Sequence, residues 1–174
     1  MDVRTAAGPL VGFFAVVRGG DQGLTGGLLL LNPQSRPLEF HCTAPVRPNR
    51  AQEILYGPTL LPFLYGEQIG RALLGKCTKA PSLIFTDSEP GLWLREVSDC
   101  PVVCVPAPEG GSSLLARFSI GETTAAMSTR AGDDEATVLE RFAPFATLVN
   151  PLEPFARIRE AIEEAQKANA ARAA

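Results

Sequence analysis

The sequence predicts an α/β fold: a mixed sheet of three antiparallel strands followed by a βαβ unit, with an added β-hairpin and C-terminal helices. Three observations carry it. Apolar, strand-sized runs separated by short turns fill the region 10–43. Two buried-strand patterns, 82–86 and 101–105, flank a short helical stretch. Gly121-Glu122 then divides two further strand-like runs. With 174 residues, 45% of them hydrophobic, the chain can bury a core without disulfides or metals.

The first strand is read over Leu10–Arg18, ahead of the turn Gly19-Gly20-Asp21. The second is Leu24–Leu31, where Gly26-Gly27 reads as a bulge. The third, Arg36–Thr43, alternates, with Leu38 and Phe40 on one face and Glu39 and His41 on the other. Short connections make these three an antiparallel meander. Asn49 is placed to cap a short helix that Gly57 ends. A second helix runs from Pro58 to about Leu74, with Leu61, Tyr65, Ile69 and Leu73 on its apolar face.

Ser82–Thr86 and Pro101–Val105 are strands joined by a helix over Glu89–Val97, which makes them parallel. The hairpin follows at 114–129. Asp133, Asp134 and Glu135 mark a helix start, where the macrodipole favours acids. Pro151 and Pro154 open a last helix with Phe155, Ile158 and Ile162 at helical spacing, and an alanine-rich end that frays. The expected division is an α/β domain over 1–150 and a C-terminal helix and tail over 151–174, packed on the domain or on a partner.

Several function classes drop out. No run approaches the roughly 18 apolar residues of a membrane span. Met1-Asp2-Val3-Arg4 does not begin a secretory signal, so a cytoplasmic protein with free thiols is expected. The net charge is −3 and the only local basic cluster is Arg36, Arg47 and Arg50, so nucleic acid is not expected as a partner. The glycines at 19–27 are not a phosphate loop, since no Gly-Lys-Ser/Thr follows. His41 is the only histidine, which excludes any Ser-His-Asp or Cys-His system without it. Cys42, Cys77, Cys100 and Cys104 form no Cys-x-x-Cys pair. His41 and Cys42 are zinc-type ligands, but with that spacing no metal and no cofactor is expected.

Thr86-Asp87-Ser88, at the end of an apolar strand, resembles the fourth-strand Thr-Asp-Ser of ribonuclease H, and Glu67 lies on the preceding helix. With the strand order, this gives a resemblance to the ribonuclease H-like superfamily over about Leu10–Val105. The resemblance implies carboxylates from the first strand, the helix and the fourth strand around two divalent cations. The first strand departs from it, because Phe13–Arg18 holds no acid and Asp21 follows in the turn. The expectation is therefore a non-catalytic ribonuclease H-like interaction or assembly module, with a protein partner or self-association. The alternative is a divalent-metal-dependent phosphodiesterase or nuclease using Asp21, Glu67 and Asp87. In the first reading Glu67 is a solvent-facing helix residue and Asp87 caps the helix that follows it.

Overall fold

The structure is a computed structural model and describes residues 8–20 and 23–173. Seven strands form one sheet: β1 (Val11–Arg18), β2 (Leu24–Leu31), β3 (Pro37–Cys42), β4 (Leu83–Thr86), β5 (Val102–Cys104), β6 (Leu115–Ile120) and β7 (Thr123–Ser128). Their spatial order is β3-β2-β1-β4-β5-β7-β6. The meander β1–β3 is antiparallel, β4 runs parallel to β1 and β5 parallel to β4, and the hairpin β6–β7 closes the far edge antiparallel.

Because side chains alternate along a strand, the central strands feed two cores. Phe13, Phe85 and Val103 face one, and Phe14, Ile84 and Val102 face the other. The second core is roofed by the connection between β3 and β4. It starts with α1 (Arg50–Tyr56), whose Asn49 side chain accepts from the Gln52 N–H at 2.8 Å while the Gln52 side chain accepts from the Asn49 N–H at 3.0 Å. A 3₁₀ turn (Gly57–Thr59) and one helical turn (Leu60–Pro62) lead into a π-helix (Phe63–Gly70) and then α2 (Arg71–Lys76). The regular helix expected from Pro58 is thus wound in three ways. The β4–β5 crossover, expected as an α-helix, is a 3₁₀-helix over Glu89–Glu96. The first core is covered by α3 (Glu135–Phe142), capped by Asp134, and by α4 (Pro154–Ala173). Phe155, Ile158 and Ile162 of α4 are buried in it.

Gly26 and Gly27 are not a bulge. They pair regularly with Val16 and Ala15, and the register shift lies between Leu30 and Leu31. A Cβ on Gly26 would overlap the Ile69 side chain of the π-helix, and one on Gly27 would come within 2.6 Å of Ile158 of α4. The two glycines let helices close on opposite faces of one strand. Among the described residues no helix is long and apolar enough to cross a membrane, and all four cysteines are free.

Candidate functional site

In an open sheet with parallel strands, ligands gather beyond the carboxyl ends of those strands. Here that edge is formed by β1, β4 and β5. Asp87 is the first residue after β4. Its carboxylate pairs with the guanidinium of Arg159, carried on α4. The Asp87 side chain is 15% exposed and that of Arg159 is 50% exposed. The ion pair therefore presents its cationic half to solvent. Arg18, at the end of β1, is also exposed.

Asp87 does not cap the helix that follows. Ser88 holds the cap position and its side chain makes no cap hydrogen bond. Thr86 is wholly buried. Its hydroxyl has no hydrogen-bond partner among the described residues and presses on Gly91, where any Cβ would overlap it. Cys104, at the end of β5, is buried. Burial, then the Asp87 and Glu89 carboxylates, push its thiol up to about 12.

Glu67 lies elsewhere. It is on the π-helix and lines an open groove of about 630 Å³ with Tyr56, Phe63, Trp93, Glu96 and Arg130. Tyr56 and Phe63 stack at 4.3 Å, and the Arg130 guanidinium lies 5.1 Å from the Trp93 ring centre. The π-helix roofs the second core, whereas the partner of Asp87 is on the helix that covers the first. Asp21 lies outside the described residues. A pair of divalent cations needs several converging carboxylates. Among the described residues, no group of three ligand-bearing side chains includes Asp87 or Glu67. The described residues thus do not fit a two-metal centre, and Arg159 supplies the positive charge that a cation would bring to Asp87.

Only one such group of three occurs among the described residues, and spacing along the chain concealed it. Glu39, His41 and Cys77 offer ligand atoms that all lie within 4.8 Å of one another. Glu39 and His41 share one face of β3, while Cys77 follows α2. Cys42, adjacent to His41 in sequence, points to the opposite face and packs on the first core. A strand's alternation separates sequence neighbours, and the fold replaces Cys42 with a residue 35 positions later.

No family model and no curated protein sequence matches the chain. Among solved structures it is similar to Endonuclease V of Ciona intestinalis in complex with a DNA that contains inosine followed by a ribo-adenosine. That likeness has a TM-score of 0.48 at 12% identity and covers 89% of this chain and 86% of that one. Human ENDOV gives 0.47 at 13% identity, with 95% and 89% covered. The Argonaute of Marinitoga piezophila, with guide RNA and target DNA, gives 0.35 at 9% identity, with 86% and 27% covered.

These findings correct three expectations. They are the non-catalytic assembly module, the emphasis on protein–protein interaction and the exclusion of nucleic acid, against which stand the similar Endonuclease V structures, solved with DNA. The physical reason lies in how charge was read. A net charge is a sum over the surface and does not exclude a local cationic edge. Arg159, in the region 151–174, is no part of the cluster Arg36, Arg47 and Arg50.

Proposed function

We propose that this chain is a nucleic-acid-processing phosphodiesterase of ribonuclease H-like architecture, working at the carboxyl ends of β1, β4 and β5. One observation carries the reading. The acid that ends the central parallel strand, in Thr86-Asp87-Ser88, is held by an arginine whose side chain is half exposed at that edge. The strand order, with β1–β3 antiparallel and β4 and β5 parallel to β1, supports the architecture.

The roles follow from the chemistry of the two groups. Arg159 has a planar fork of N–H donors suited to phosphate oxygens, and only part of that fork is engaged by Asp87. Asp87, largely shielded from water, orients the guanidinium and keeps it at the strand ends. Charge that develops on a phosphoryl oxygen would be met by a donor already in place. Arg18 extends the cationic edge along the backbone of a bound strand.

The test is cleavage of single-stranded, duplex and hybrid substrates by the full chain, with Mg²⁺, with Mn²⁺ and with chelator. Cleavage by the wild type that falls at least about tenfold in both Asp87→Asn and Arg159→Ala supports the reading. A wild type inactive under every condition, or variants as active as wild type, would overturn it.

A further inference from the structure

We propose that Glu39, His41 and Cys77 form a binding site for a zinc-class divalent cation at the β3 edge of the sheet. The site is separate from the Asp87 edge and independent of the activity assigned to it. Three observations carry it. The three ligand atoms lie within 4.8 Å of one another. Bonds of about 2.0–2.3 Å to a tetrahedral cation leave ligand atoms somewhat under 4 Å apart, so only small side-chain movements are needed. The ligand types are one carboxylate oxygen, one imidazole nitrogen and one sulfur. That mixture suits zinc, whereas magnesium and calcium take oxygen ligands.

The surroundings hold the ligands in place. Glu39 accepts from the Thr78 N–H at 3.0 Å, the Thr78 hydroxyl at 2.5 Å and the Lys79 N–H at 2.9 Å. Its Oε2 also meets His41 Nε2 at 2.8 Å. The Thr78 and Lys79 contacts tie β3 to the loop that carries Cys77 and fix the carboxylate by its outer bonds, as supporting groups do around metal ligands. Among the described residues, the Cys77 thiol makes one weak hydrogen bond, donated to the Leu73 carbonyl at 3.4 Å.

The proton balance is simple. Cys77 releases its thiol proton to solvent. The Nε2 proton of neutral His41, which Glu39 accepts before binding, passes to Nδ1 by way of solvent and frees Nε2 to ligate. The Glu39–His41 hydrogen bond is exchanged for two bonds to the cation. One proton is released per cation bound. His41 keeps 25% of its side chain exposed, so a fourth position on the solvent side falls to water.

The experiment uses the full chain with Zn²⁺, Mg²⁺ and Co²⁺ as probes. Zinc should bind one per chain and raise the melting temperature, and magnesium should not. Cobalt should give a thiolate-to-metal charge-transfer band. Cys77→Ser and His41→Gln should each abolish that band or weaken binding at least about tenfold. Cys42→Ser and Asp87→Asn should leave both unchanged. Far-UV circular dichroism checks that each variant is folded, and His41→Gln serves if Cys77→Ser is not. A wild type without a cobalt–thiolate band would overturn the proposal, as would a band that survives Cys77→Ser or depends on Cys42.

Discussion

Two acids of the sheet are engaged in opposite ways. Asp87 follows a central strand and, among the described residues, has one side-chain partner, the cation of Arg159. Glu39 sits within an edge strand and is surrounded by donors from Thr78, Lys79 and His41. The donors around Glu39 include two backbone N–H groups, fixed by the chain itself. Among the described residues, Asp87 instead meets the long side chain of Arg159 on another element, and holds it at the strand ends. Backbone donors fix Glu39 where it stands, and the half-exposed guanidinium beside Asp87 keeps donors free toward solvent.

The titration of Glu39 reflects this. Burial alone would raise its carboxyl. Hydrogen bonds from Thr78 and His41, joined by the backbone N–H groups of Thr78 and Lys79, outweigh burial and bring it to about 2. The folded value lies below the ordinary one of 4.5, so the ionised form is favoured by folding. That stability is fully present above pH 4.5 and is lost as pH falls toward 2.

The Asp87 edge depends most on α4, which carries Arg159. Phe155 packs edge-on to Phe13 at 5.5 Å. Phe155→Ala should cost about 3–5 kcal/mol in denaturant unfolding and loosen the Asp87 partner. It should leave the acid-side transition of Glu39 in place. A loss below about 1 kcal/mol would mean that α4 does not anchor the edge.

Removing the charge at the other acid comes next. Glu39→Gln should lose on the order of 2–3 kcal/mol near pH 7, with the difference from wild type vanishing as pH approaches 2. Urea unfolding at a series of pH values reads it directly. A difference independent of pH would assign the loss to packing rather than to ionisation.

The smallest stability effect belongs to the Asp87–Arg159 pair. Arg159 is half exposed, so Arg159→Ala should cost no more than about 1 kcal/mol. The same change should weaken single-stranded nucleic-acid binding and flatten its salt dependence by about one phosphate contact. Fluorescence anisotropy across a salt series measures both. Equal slopes for variant and wild type would remove Arg159 from the interface.

Much of the architecture was legible in residue patterns. The meander, the parallel pair, the hairpin and the apolar face of the last helix all follow from alternation, spacing and turn residues, which act over a few positions. The caps at Asn49 and Asp134 were legible for the same reason. The π winding of Phe63–Gly70 was not, because its helical spacing resembles that of an ordinary helix over so few residues.

The sequence by itself determined the strand count, the faces of β3 and the position of Asp87 at a strand end, since these depend on local periodicity. Only the tertiary structure decided what each acid meets. Arg159 is 72 residues from Asp87, and Thr78 is 39 from Glu39. It also decided that Glu67 belongs to a separate groove, that Cys77 rather than Cys42 stands with His41, and that Gly26 and Gly27 admit a helix on each face. Such pairings depend on which surfaces close on one another, and no spacing along the chain encodes them.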